Sequence, residues 1–147
     1  MKILFVCTGN TCRSPMAMCF ARKKGYDAMS AGVYVYTEDA PASLQARSVV
    51  QKRGMTLVGH RSHQIDIDSI NWCDKIVCMT EDIRIHVLRN YNIAAQKVYV
   101  FSPPIPDPYG LGEAEYERVA RLIENQIDGL FYETGHCDPV SDTGSDT

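Results

Sequence analysis

The strongest pattern in the chain comes first. Lys2-Ile3-Leu4-Phe5-Val6 is a β-branched and aromatic run with no polar alternation, and it ends at Cys7. Such a run fits a strand covered on both faces, as in a parallel sheet. A short polar stretch with one glycine follows. Ser14-Pro15 then opens a helix, with Ser as cap and Pro in the first turn. Met16, Ala17, Phe20, Ala21 and Lys24 continue that helix to Gly25. A second extended piece spans Asp27 to Val33, and Ala42 to Arg53 reads as a helix stopped by Gly54. Asp74 to Met79 repeats the buried-strand pattern, and Thr80-Glu81-Asp82 caps a helix running to about Asn90. Lys97 to Phe101 predicts a fourth strand. From Glu113 to Phe131, the residues Tyr116, Val119, Ala120, Ile123, Ile127 and Leu130 fall on one helical face.

Strands alternating with helices predict an α/β domain built on a parallel sheet, with its ligand site where loops leave the carboxyl ends of strands. Cys7 stands at such an end. From His136 onward the chain has almost nothing apolar to bury, so the expected division is a folded domain over 1–135 and a mobile tail over 136–147. No internal repeat or linker divides the domain.

Composition narrows the classes. With 45% apolar and 22% charged residues, 147 residues suffice for one globular core, which excludes a disordered, collagenous or multidomain chain. Fifteen basic against eighteen acidic side chains give a net charge of −3. That balance lacks the positive surplus that tracking a phosphate backbone requires, so nucleic acid is not an expected partner. No stretch approaches the ~20 apolar residues of a membrane span, and Met1 to Val6 is too short for a signal h-region. A cytoplasmic location with no membrane partner is the expectation. The six cysteines, Cys7, Cys12, Cys19, Cys73, Cys78 and Cys137, are then expected as reduced thiols.

The chemistry concentrates in Cys7-Thr8-Gly9-Asn10-Thr11-Cys12-Arg13-Ser14-Pro15, a strand end, a short loop and a helix start. Inward backbone N–H groups and the positive end of a helix make a concave site for a tetrahedral oxyanion. Gly9 is expected to supply the backbone freedom. Arg13 can grip two oxygens through its planar fork, which Lys cannot. The field that attracts a dianion also stabilises a thiolate at Cys7. Taken singly these features are common, and a cysteine at a strand end is often an inert buried residue. Together they meet three chemical needs at once. A Walker A loop is excluded because no Gly-Lys-Ser/Thr follows. Zinc is a poor fit, since Cys7-x4-Cys12 and Cys73-x4-Cys78 lack knuckle spacing and His partners.

The run Val6 to Ala17 resembles the phosphate loop of the low-molecular-weight protein tyrosine phosphatases. Ser30-Ala31-Gly32-Val33, His60-Arg61-Ser62, Asp74 to Met79 and Asp107-Pro108-Tyr109 extend the resemblance over the whole chain except the tail. It implies a single three-layer Rossmann-like domain, with a four-stranded parallel sheet flanked by helices. It also implies phosphate removal from phosphorylated proteins through a phosphocysteine, with no cofactor or metal. By the same resemblance Cys7 is the nucleophile, Arg13 the oxygen clamp, Ser14 a hydrogen-bond partner of the thiolate and Asp107 the proton donor. Thr8, Gly9, Asn10, Thr11, Cys12 and Tyr109 would surround the phosphate group. Asn10, Ser30 and His60 match a polar network that braces the loop. Cys12 stands where family members can form a reversible disulfide with the nucleophile, or it packs beneath the loop as a small buried residue.

Thr11 bears on the substrate. Tyrosine-directed members usually carry an apolar residue here, whereas Thr resembles the protein arginine phosphatases of the same family. A hydroxyl can accept a hydrogen bond from a guanidinium, and such pairing discriminates better than apolar contact. Asp107-Pro108-Tyr109-Gly110 has one aromatic where many tyrosine-specific members have two, which predicts a less flanked pocket. Tyr109 suits either a phenyl ring or a guanidinium. Phosphoarginine is therefore favoured over phosphotyrosine. Arsenate reductases share a similar loop, with Cys73 and Cys78 as an imaginable relay pair, but they generally lack the Asp-Pro acid. A noncatalytic phosphoprotein-binding module would have no use for Cys7 or Asp107.

Overall fold

At the centre of the sheet lies β1 (Lys2–Cys7), with β2 (Asp27–Gly32) on one side and β3 (Lys75–Cys78) on the other. Beyond β3 come β4 (Val98–Phe101) and, at the edge, β5 (Cys137–Pro139). The computed structural model describes residues 1–93, 95–130 and 137–139. The first four strands run parallel, aligning Cys7 with Gly32 and Val6 with Cys78. The four-stranded parallel sheet expected from the pattern is present. To it β5 adds a short antiparallel strand, Phe101 pairing with Cys137. That strand falls inside the segment expected to be a mobile tail; residues 136 and 140–147 lie outside the described residues.

The strand order reverses between β1 and β3, because the chain goes first to β2 and then crosses to the other side. Ligands of doubly wound sheets bind at this switch, outside the carboxyl ends of the strands. Cys7, the last residue of β1, occupies that place. Ile3, Leu4, Phe5 and Val6 are fully buried, as the unbroken apolar run requires.

Among the described residues, five α-helices flank the sheet: α1 (Arg13–Lys23), α2 (Leu44–Lys52), α3 (Ile67–Trp72), α4 (Glu81–Asn90) and α5 (Glu113–Asp128). Every residue of α1 from Arg13 to Ala21 is buried, because the helix lies among β1, β2, α2 and α5. A helix apolar on all sides needs such an enclosure. Its far end carries Arg22 and Lys23, which suit the negative end of the dipole, and Gly25 follows at φ +100°.

Capping chemistry sets the boundaries. Ser43 Oγ accepts from Ala46 N at 3.1 Å, so α2 starts at Leu44 and not at Ala42. Gly129 caps α5, which ends at Asp128, short of Phe131. No sequence signal predicted α3: six residues are too few for a periodicity. It is set by Asp66 and Ser69, whose side chains cap each other's backbone. Between α2 and α5, Arg53 donates to both carboxylate oxygens of Glu117 at 3.0 Å and lies 3.1 Å from Glu124.

Candidate active site

The loop from Cys7 to Arg13 turns back on itself around Asn10, which adopts φ +61°. A left-handed conformation disfavours most side chains but is tolerated by Asn. Sequence reasoning assigned this freedom to Gly9; the residue that uses it is Asn10. At Gly9 a Cβ would meet only Thr11 Oγ1, at an ordinary 3.9 Å.

Asn10 is wholly buried and tied from every side. Its Nδ2 donates to Ser14 Oγ at 2.8 Å and to Ser30 Oγ at 3.0 Å. Its Oδ1 accepts from His63 N at 2.8 Å, and its carbonyl lies 2.9 Å from His60 Nε2. Burial is the main influence on His60 and lowers its pKa below the usual range; Arg22 and Arg61 act in the same direction, against the Asn10 hydrogen bond. Neutral His60 therefore donates Nε2–H to the Asn10 carbonyl. The glycine that the local geometry demands is Gly32, at the end of β2. A Cβ there would stand 2.5 Å from the Thr8 carbonyl oxygen.

Around the sulfur, Asn10 N donates to Cys7 Sγ at 3.3 Å and Ser14 Oγ lies 2.9 Å from it. Ser14 Oγ already accepts from Asn10 Nδ2, and its own proton faces the sulfur at 2.9 Å and, at the longer 3.4 Å, the Ala31 carbonyl. Two donors thus converge on Cys7, at the start of α1 with its positive dipole end. Arg13 is buried, with NH1 donating to the Ile105 carbonyl at 3.0 Å and NH2 to Thr8 Oγ1 at 3.2 Å. Its NH2 also lies 3.9 Å from Asp107 Oδ2. Asp107 is half exposed, and Tyr109 N donates to its Oδ1 at 3.0 Å, the local turn that aims the carboxylate.

Cys7, Thr8, Gly9, Thr11, Cys12, Arg13, Asp107 and Tyr109 line one cavity of about 590 Å³, while Asn10, Ser14, Ser30 and His60 lie outside its lining. The remaining wall is Tyr36, Thr37 and Ala40, from the segment between β2 and α2. Sequence reasoning missed these three. Tyr36 is fully exposed, and an exposed aromatic in a loop is the signal that was available. With Tyr36 and Tyr109 the cavity carries two aromatic rings, which corrects the expectation of a less flanked pocket: the second ring comes from a different loop.

Cys12 is buried, with Sγ 3.2 Å from Tyr116 Oη and 3.5 Å from Ser43 Oγ. Burial and the Cys12 contact raise the Tyr116 phenol above its ordinary pKa, so it stays protonated. Cys73 and Cys78 are buried apart from this cavity, and burial pushes the Cys73 thiol up to about 11.

The model of the low molecular weight phosphotyrosine protein phosphatases matches residues 2–137. The chain is 36% identical over 140 residues to a protein-arginine-phosphatase of Geobacillus stearothermophilus, covering 88% of this chain and 93% of that one. It is 32% identical over 133 residues to the low molecular weight protein-tyrosine-phosphatase Etp of Escherichia coli K12, covering 84% and 87%. The solved low molecular weight protein tyrosine phosphatase of T. tengcongensis superposes with a TM-score of 0.83 at 31% identity, over 87% of this chain and 95% of that one.

Proposed function

Because the chain belongs to the low molecular weight phosphotyrosine protein phosphatases, we propose that it hydrolyses phosphorylated proteins through a phosphocysteine on Cys7, with phosphoarginine as the favoured substrate. The observation that carries this reading is the pair of donors on Cys7 Sγ, Asn10 N and Ser14 Oγ, in a cavity that also holds Arg13 and Asp107. In the first step the Cys7 thiolate attacks phosphorus; the S–P bond forms and the P–N or P–O bond breaks. Asp107 gives its proton to the departing nitrogen or oxygen. In the second step water attacks phosphorus, Asp107 accepts a proton from it, and the S–P bond breaks to return the thiolate. Arg13, with the loop amides, faces the charge on the phosphoryl oxygens in both steps.

Thr11 lines the cavity, where its hydroxyl suits a guanidinium N–H, and a relative at 36% identity is a protein-arginine-phosphatase. A second reading, phosphotyrosine, is favoured by one observation: Tyr36 and Tyr109 both line the cavity and would stack on a phenyl ring. Rates on a phosphoarginine protein and a phosphotyrosine peptide, for wild type and Thr11→Ile, separate the two. The arginine reading expects wild type to prefer phosphoarginine and the variant to lose that preference. Equal or tyrosine-biased wild-type rates overturn it. Cys7→Ser tests the chemistry itself: turnover should vanish while oxyanion binding persists, and acid-quenched wild type should carry phosphate on sulfur.

A further inference from the structure

A second cavity, of about 490 Å³, shares no lining residue with the first. Its walls include Ser30, His60 and His63, three of the residues that hydrogen-bond Asn10. Arg22 and Arg61 also line it, over an apolar floor of Met18, Met29 and Leu57.

Its charge is one-sided. Among the described residues no Asp or Glu lines the cavity. His63 is matched by Asp66 at 3.2 Å, but among the described residues neither Arg22 nor Arg61 forms an ion pair. Arg22 Nε donates to the Ala28 carbonyl at 2.9 Å, which fixes its guanidinium, and Arg61 NH1 donates only to the carbonyl of its neighbour His60 at 3.1 Å. Two uncompensated guanidinium forks beside an apolar floor suit the anionic head and carbon body of one small molecule.

We propose that this cavity binds a small organic anion, a phosphonate, phosphomonoester or carboxylate with an apolar body, and that its occupancy is coupled to oxyanion binding at the Cys7 loop. One residue links the two sites: Asn10 accepts hydrogen bonds from His60 Nε2 and His63 N and donates one to Ser30 Oγ, all three on the walls of the second cavity, and it gives its own N–H to Cys7 Sγ. An anion held by Arg22 and Arg61 offsets the positive charge that both place beside His60, and it steadies the wall that keeps Asn10 left-handed. A filled Cys7 loop demands the same Asn10 conformation, so each ligand favours the other.

Amide-resolved NMR titration with phenylphosphonate and with benzoate, in the presence and absence of saturating orthovanadate at Cys7, tests this. Saturable shifts should appear at Leu57, Gly59 and Arg61, and the probe should bind about fivefold tighter with vanadate present, a typical coupling. Saturation by phenylphosphonate alone assigns the site to phosphoryl compounds, and saturation by benzoate to carboxylates. Arg61→Gln should weaken either probe by about tenfold while leaving aryl phosphate turnover unchanged, as expected for loss of one charge-assisted pair. Arg22→Gln should do the same, and its folding is checked by its own spectrum. Absence of saturable shifts at those amides, or unchanged affinity in Arg61→Gln, overturns the site. Equal affinity with and without vanadate overturns the coupling. The binding measurement requires no turnover, so it succeeds or fails independently of the phosphatase reading.

Discussion

Arg13 NH1 donates to the Ile105 carbonyl at 3.0 Å, so the residue that opens α1 also holds the loop bearing Asp107. That loop has two further anchors. Ile105 N donates to the Met79 carbonyl at 3.0 Å, and buried Gln126 on α5 spans its beginning, accepting from Ser102 N at 2.9 Å and donating to the Pro103 carbonyl at 2.6 Å.

In the proposed reaction Gln126 is thus a positioning residue for Asp107 as the acid. Gln126→Leu removes both bonds and leaves buried backbone groups unpaired, a cost of about 2 kcal/mol. Turnover of phenyl phosphate should fall by about tenfold from misplacement of the acid, with a smaller fall on p-nitrophenyl phosphate. Equal falls on both esters would mean that the loss is general and not one of acid placement.

Asp107→Asn should show the same asymmetry in stronger form. A poor leaving group depends on the proton, so its rate should fall by about 10²–10⁴-fold, the usual contribution of positioned proton transfer. A nitrophenolate departs with less help. A series of aryl phosphates of graded leaving-group acidity reads this directly as a steeper slope in the variant.

Gly32→Ala probes the seam between β2 and the loop. The added Cβ would meet the Thr8 carbonyl oxygen at 2.5 Å and Asn10 Cβ at 3.1 Å. Backbone must shift, at a cost of about 1–3 kcal/mol. Thermal denaturation should register the loss, and orthovanadate affinity should fall with it because the displaced atoms belong to the oxyanion loop.

His60 gives stability a pH dependence with a definite sign. Its folded pKa lies below the ordinary value of 6.5, so near and below that value the unfolded chain takes up a proton that the folded one resists. Stability is full above about pH 6.5 and declines as the pH falls, levelling off below the folded pKa. The paired carboxylates Asp66, Glu115 and Glu117 are also held below their ordinary values, and their loss comes at lower pH. Melting temperatures between pH 7.5 and 5.5 should drop in wild type and drop less in His60→Gln.

Much of the fold was legible because β1, β3 and α5 state their burial in composition: β-branched runs for strands covered on both faces, and one apolar stripe for a helix on a sheet. The capping residue Thr80 marked its helix start to the residue. The six-residue α3 was hidden because its only signal is a cap, and β5 because Cys137-Asp138-Pro139 is stabilised by pairing with β4 and not by its own apolar content. In the site, Cys7 and Arg13 stood out by spacing, and Asp107 by the family resemblance alone. The contributions of Tyr36, Gln126 and His63 N depend on placement across 23, 23 and 53 residues or more of sequence, which no local pattern encodes. Gly9 was credited with freedom that Asn10 uses, because a glycine advertises permissiveness whether or not the backbone exploits it.

The enclosure of α1 separates two kinds of adaptability. With Arg13 through Ala21 sealed between sheet and neighbouring helices, the guanidinium at its head has a fixed seat, and any drift there would dislocate the whole interior. Tyr36 and Tyr109, by contrast, stand on the outer rims. Descendants of this chain can trade one recognised phosphoryl carrier for another by rewriting those rims, while the reaction they present it to stays the same.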